Sequence, residues 1–318
     1  APEFVEPFGK SLLENIDGIG EVELVVAVAG EPTFVSGGVL QFDSVTRSFI
    51  ALDIENGTAV GTEVPVQVSA LSFGKAFASD GLTGEKNAVF VVHEVDVDNS
   101  RERRLSTRLV QEGDTPRLLT PDAGASLPLQ IESIVPGLFS GSAVQPNQSA
   151  LDLALSTASG PGGAEIRVIV NDGFGGFPAV GASLSYPGLL PGSVAVIPGE
   201  IGRSDSLVFI SSDAQVGVWD PLPTLGGSSN GVLLTAQLPA IGLLDGDTKI
   251  KVADVDGDGL NDLVLLLSAD VSTSGLSDTN FVLMRGKAAV LPSDFPFEVP
   301  VNGLLVHANA SSFAVADF

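Results

Sequence analysis

The residues 254-DVDGDGLND-262 place four aspartates in nine positions and run directly into the apolar stretch LVLLL. Carboxylates packed this closely repel one another unless a cation neutralises them. Asp254, Asp256 and Asp258, at positions 1, 3 and 5, bring three oxygens round one point when the loop curls. Gly257 and Gly259 permit the tight backbone that this needs. Leu260 at position 7 can add its carbonyl oxygen, and Asp262 at position 9 closes the shell. Hard oxygen ligands in a flexible loop suit Ca²⁺ better than Mg²⁺ or Zn²⁺. The same spacing opens an EF-hand, which requires a bidentate Glu at position 12 and a helix after it. Position 12 is Leu265, within a strand-like run, so the EF-hand reading fails. A solvated acidic turn is the plain alternative, and it leaves the repulsion uncompensated.

The loop belongs to a repeat. Near the N-terminus, 15-NIDGIGEVELVVAVAG-30 aligns with 254-DVDGDGLNDLVLLLSAD-270. Asn15 meets Asp254, Asp17 meets Asp256, Glu23 meets Asp262 and Leu24 meets Leu263. Weaker copies lie at 77–95, 150–177 and 194–220, with the acidic residues mostly gone and only Asp152 kept from the loop of the second of these. Leu24, Val89, Leu153, Leu207 and Leu263 are then equivalent, spaced by 65, 64, 54 and 56 residues. Such periodicity is the mark of one supersecondary unit used five times. The units run approximately over 10–70, 71–135, 136–190, 191–245 and 246–305 of a single repeat domain, 1–318. The end, 313-FAVADF-318, aligns with 250-IKVADV-255. It is expected to start a further unit at 306–318, and the chain is then expected to be a fragment of a larger propeller.

Strand candidates at 207–210, 215–219, 231–238 and 248–255, separated by Gly, Pro, Ser and Asp, give about four strands per unit. The strands are apolar on both sides, as in LVVAVAG, LVLLL and VFVV. A sheet with one wet face would alternate instead, so both faces must be covered. The expected class is all-β, a β-propeller of about five to six degenerate four-stranded blades, each sandwiched between its neighbours. A multi-sheet β-sandwich is the rival. Only 10-KSLLENI-16 and 101-RERRLSTRLVQ-111 look locally helical, and the second reads equally well as a charged hairpin.

The acidic loop resembles the FG-GAP/VCBS repeat of integrin α-like β-propellers. DVDGDGLNDLVLLL at 254–267, NIDGIGEVELVV at 15–26 and the turn NDGFGGF at 171–177 carry the resemblance. It implies a DxDGDGxxD loop that joins two strands of a blade and binds Ca²⁺ through Asp254, Asp256, Asp258, the Leu260 carbonyl and Asp262. It implies a poorer site at Asn15, Asp17, Glu21 and Glu23, where Ile19 replaces the position-5 Asp. The other loops have lost their ligands and are expected to be metal-free turns. One full site among five units makes calcium a local staple and not a continuous ring.

Composition bounds the remaining functions. The 318 residues carry a formal charge of −24 with a pI near 4.1. Such a surface repels nucleic acid and anionic membranes and suits a binder of cations. No Cys means no disulfide and no thiolate metal site, and His93 and His307 are too few for a His-rich zinc site. No stretch has the length of a membrane-spanning helix. The opening APEFVEPFG is not a signal peptide and reads as a mature or trimmed start. His93 beside the acids and arginines of 94–104 reads as a structural strand histidine, and Asp96, Asp98 and Asn99 as a loop tip neutralised by Arg101, Arg103 and Arg104. Trp219, the single Trp, can stack on a sugar ring, but core packing explains it as well.

The expected function is an extracellular or cell-surface, calcium-stapled structural or adhesion module, secreted and bacterial in its composition, with a periplasmic location also open. A protein or glycan partner is expected on a propeller face. Two alternatives stand beside it. One is a structural subunit of a larger surface assembly or filament. The other is a polysaccharide lyase or hydrolase on the same scaffold, for which one Tyr, one Trp and two His are a poor supply.

Overall fold

A computed structural model describes residues 9–14, 23–30, 34–43, 48–59, 64–77, 86–97, 100–111, 117–118, 125–127, 130–140, 150–160, 163–172, 176–177, 179–199, 204–221, 231–238, 243–271, 276–288, 294–299 and 304–306. Among these residues there are strands and no helix. The first sheet holds β1 (Gly9–Glu14), β2 (Glu23–Gly30), β3 (Phe34–Asp43) and β4 (Ser48–Ala59). The second holds β5 (Val64–Phe77), β6 (Lys86–Val97), β7 (Ser100–Gln111) and β8 (Arg117–Leu118), with β9 (Ala125–Leu127) also paired to β7. The third holds β10 (Ile131–Gly137), β11 (Asp152–Gly160), β12 (Gly163–Val170) and β13 (Ala179–Ser185). The fourth holds β14 (Leu189–Ile197), β15 (Ser206–Ser211), β16 (Gln215–Asp220) and β17 (Val232–Gln237). The fifth holds β18 (Lys249–Ala253), β19 (Asp262–Val271), β20 (Leu276–Met284) and β21 (Leu304–Val306).

Strands follow one another across each sheet in chain order. Pairing is antiparallel in the first, second, fourth and fifth sheets. The protein is therefore all-β, a succession of mainly four-stranded meanders. Leu24, Val89, Leu153, Leu207 and Leu263 each lie in the second strand of their sheet, so the repeat read from the sequence is a repeat of topology. The segment at 249–253 opens the fifth sheet; it does not close the fourth, whose first strand is β14.

Two compact units divide the chain. One is Ala1–Pro136 with Gln145–Leu153 and Ile169–Ala179; the other is Gly137–Val144 with Ala154–Val168 and Val180–Phe318. In the first, β6 buries Ala88 to Val92 without interruption, so both faces of that strand are covered. The helical expectation for 101–111 is overturned by β7, which pairs with β6 from Val97↔Ser100 to Ala88↔Leu109. Burial in β7 alternates, with Arg103, Leu105 and Thr107 inside. A buried guanidinium is tolerable there because Glu94 meets it: Arg103 Nε and Nη2 donate to Glu94 Oε1 at 3.0 and 2.5 Å, and Nη1 donates to the Ile131 carbonyl at 2.7 Å. Glu94 thus pairs with both Arg103 and Arg101, while Asp98 and Asn99 lie outside the described residues. Residues 10–14 of the other helical candidate are β1, paired along its length with β2.

In the second unit the apolar core lies between the fourth and fifth sheets. Val208, Ile210, Val216 and Val218 meet Ile250, Leu263, Leu265 and Leu267. Leu207 and Phe209, on the opposite face of β15, are also fully buried. This two-sided burial is why these strands read as continuous apolar runs. Polar stitching adds to it. The Leu244 N–H donates to the Ser212 carbonyl at 2.7 Å, and the Thr248 hydroxyl both donates to and accepts from the Ser268 backbone. Trp219 is fully buried, opposite Leu207 and Leu233 in register, and belongs to the core.

Candidate metal centre

The acidic run connects β18 to β19 through residues 254–261, and its last aspartate, Asp262, is the first residue of β19. Its anchor below is β19, whose Leu263 to Leu267 are all buried. The loop itself is open to solvent from Asp254 to Gly259. Gly257 and Gly259 have φ of 76° and 84°, in the left-handed region that a Cβ disfavours. Those two turns curl the backbone so that its N–H groups point inward at Asp254. Asp254 Oδ1 accepts from the N–H of Gly257 at 2.8 Å and of Asp258 at 3.2 Å, and Oδ2 accepts from Gly259 at 2.9 Å. Asp258 turns back on its own turn, with Oδ1 accepting from the Leu260 N–H at 2.8 Å.

Asp262 opens β19 and is 1% exposed. Its Oδ2 accepts from the Val255 N–H at 2.9 Å and its Oδ1 from the Gly286 N–H at 2.7 Å. Gly286 follows β20, and a Cβ there would stand 2.5 Å from the Asn261 carbonyl oxygen. Only glycine fits that crossing. Arg285, next to it, places Nε 3.8 Å from Asp256 Oδ2 as an exposed, loose countercharge.

Carboxylate oxygens of Asp254, Asp256 and Asp262 lie within 4.8 Å of one another. Oxygens that each reach 2.3–2.6 Å to a common ion are at most about 5 Å apart, and the spacing of these three oxygens is within that limit. Asp254 Oδ2 and the two oxygens of Asp262 each accept one backbone N–H and keep a second lone pair, whereas Asp254 Oδ1 accepts two. The structure thus brings together three of the expected ligands, with Asp258 and Leu260 on the same loop. Glu23, from the poorer candidate, opens β2 and faces Glu14 and Gln41 in register. Asn15, Asp17 and Glu21 lie outside the described residues. The turn at 171–177 closes through Asp172, whose N–H donates to the Gly176 carbonyl at 2.9 Å and whose Oδ1 accepts the Gly176 N–H at 3.0 Å.

Arg285 and Gly286 carry no mark in the acidic motif itself. They lie more than twenty residues beyond the loop, and the only local sign is a glycine just after the apolar run FVLM. Beside the acidic loop opens a cleft of about 260 Å³, lined by Ile197, Ser204, Leu260, Asn261, Lys287 and Phe297 among others. His93 is buried within β6, opposite Val68 and Arg104 in register.

No family model matches the chain, and no curated protein matches it. Among solved structures the chain is similar to BBS1N, crystallised in complex with ARL6DN and soaked with mercury. The identity is 10% over 82% of this chain and 88% of that one, with a TM-score of 0.32. At that score the likeness adds nothing to the sheet topology given above. Among the described residues no helix is long and apolar enough to cross a membrane, which leaves strands out of account.

Proposed function

We propose that the chain is a non-enzymatic β-propeller module, extracellular or on a cell surface, in which one calcium ion staples the fifth sheet and the loop faces engage a protein or glycan partner. The observation that carries this reading is the convergence of Asp254, Asp256 and Asp262 on the loop between the first and second strands of a four-stranded sheet. The covered faces of β15 and β19 support stacked blades. Asp254, Asp256 and Asp262, with Asp258 and the Leu260 carbonyl, would hold the ion, which would supply charge neutralisation and rigidity. The chain's own contribution is to hold the loop: two left-handed glycines, the amides round Asp254 and the amides on Asp262. Isothermal titration with calcium and with magnesium tests the reading. One calcium site per chain, lost in Asp256→Ala, is expected. Heat flow unchanged by that substitution would refute the site.

A subunit buried in a larger surface assembly is the second reading. Val232 and Leu233, 44% and 37% exposed on β17 at the edge of the fourth sheet, favour it. Light scattering of the purified chain separates the two: a monomer at micromolar concentration supports the first reading, and concentration-dependent association the second.

A further inference from the structure

Two carboxylates in different sheets make the same bond. Asp262 is the first residue of β19 and Asp152 the first residue of β11, each the second strand of its sheet and each 1% exposed. Asp262 Oδ1 accepts the N–H of Gly286, just past the third strand of its sheet, at 2.7 Å. Asp152 Oδ1 accepts the N–H of Asn171, just past the third strand of its own, at 2.9 Å. Asp262 spends its other oxygen on Val255, two residues past the first strand. The fourth sheet has the counterpart of that second bond. There Asp205, one residue before β15, accepts the N–H of Gly199, two residues past β14, at 2.8 Å. The residue after the third strand of that sheet is Pro221, which has no N–H to give. Ser206, and not an acid, opens the second strand there.

An amide just beyond a strand end has lost its ladder partner and still needs an acceptor. A carboxylate supplies a strong one, because a charge-assisted bond exceeds a neutral one. We propose that the acid at the head of the second strand, or one residue before it, is a positioning residue, a bracket that draws the neighbouring strand ends together without any cation. Asp262 forms both halves of the bracket, Asp152 the third-strand half and Asp205 the first-strand half. The connection before Asp152, residues 138–151, contains no other acid, so cation binding does not account for that residue. At Asp262 the same bracket sets the loop on which Asp254 and Asp256 sit. Only this last step rests on the reading of the loop as a calcium site.

Amide hydrogen exchange in excess chelator tests the bracket on Asp152→Ala, Asp152→Asn, Asp262→Ala and the wild type. Asp152→Ala is expected to speed exchange at Asn171 by roughly tenfold or more, the scale set by losing a bond to a charged acceptor. Asp152→Asn keeps an acceptor of the same shape and is expected to restore most of the protection. Asp262→Ala is expected to expose the amides of Val255 and Gly286 while chelator is present. Unchanged protection at Asn171 in Asp152→Ala overturns the proposal. So does an Asp262→Ala effect that appears only with calcium. A wild type indifferent to calcium, with both alanine effects present, would sink the calcium reading and leave the bracket standing. If Asp262→Ala fails to fold, the two Asp152 variants decide.

Discussion

Arg285→Gln gives a sharp test of where a calcium ion would sit. The guanidinium Nε lies 3.8 Å from Asp256 Oδ2. An ion held by that oxygen at about 2.4 Å would stand roughly 6 Å from the guanidinium. A divalent ion facing one positive charge at that distance is opposed by about 1.4 kcal/mol in water. Physiological salt, with a screening length of about 8 Å, leaves roughly half of that. Removing the charge should therefore tighten calcium binding by about threefold to tenfold, more at low salt. Arg285→Lys keeps the charge and should stay within about twofold of wild type. Because the pair is exposed, Arg285→Gln should change stability in chelator by no more than about 0.5 kcal/mol. Isothermal titration at two salt concentrations reads the affinities, and urea unfolding in chelator reads the stability. Affinity that is unchanged or weaker in Arg285→Gln would refute the placement of the ion at Asp256.

Two further outcomes follow from the packing of the fourth sheet. Gly217 faces Phe209 in register, and a Cβ on it would stand 2.2 Å from the Phe209 ring. That ring is fully buried and meets Tyr186 edge to face at 5.0 Å, so Gly217→Ala should cost about 1–3 kcal/mol as overpacking; a urea midpoint equal to wild type would show that the ring has room to move. Burial first, and the charge of Asp213 second, raise the Tyr186 phenol above its ordinary 10.0. Tyr186 is the single Tyr, so phenolate absorbance reports it alone, with a midpoint above 10.0 when folded and near it in denaturant. The sign follows by linkage. Stability from this group is intact below the unfolded value and is lost as pH rises through the folded one, since the unfolded phenol ionises first. A folded midpoint at or below 10.0 would contradict the burial.

Much of the architecture was legible because both faces of the second strands are buried. Leu207 to Ile210 and Leu263 to Leu267 are apolar at every position, and no half-wet sheet would demand that. The repeat frame follows from the same residues, since Leu24, Leu153, Leu207 and Leu263 are each the second residue of their strand. Segment 101–111 misled because its charges look solvated. What holds Arg103 in a strand is Glu94, nine residues away in sequence and opposite in register. The acidic loop was visible from spacing alone, down to the left-handed glycines at 257 and 259. The bonds of Asp262 were not. One of them comes from Gly286, twenty-four residues on, which only the pairing of β19 with β20 brings within reach.

The most direct test of the central claim is the melting temperature in saturating calcium and in excess chelator, for wild type and for Asp254→Ala with Asp256→Ala. Calcium at a few hundred times its Kd stabilises by about 3–4 kcal/mol, or roughly 4–6 °C for a chain of this size. That rise is expected in wild type and none in the double variant. The same melting temperature for wild type in calcium and in chelator would contradict it, and 254–262 would then be an acidic turn held by its own backbone bonds.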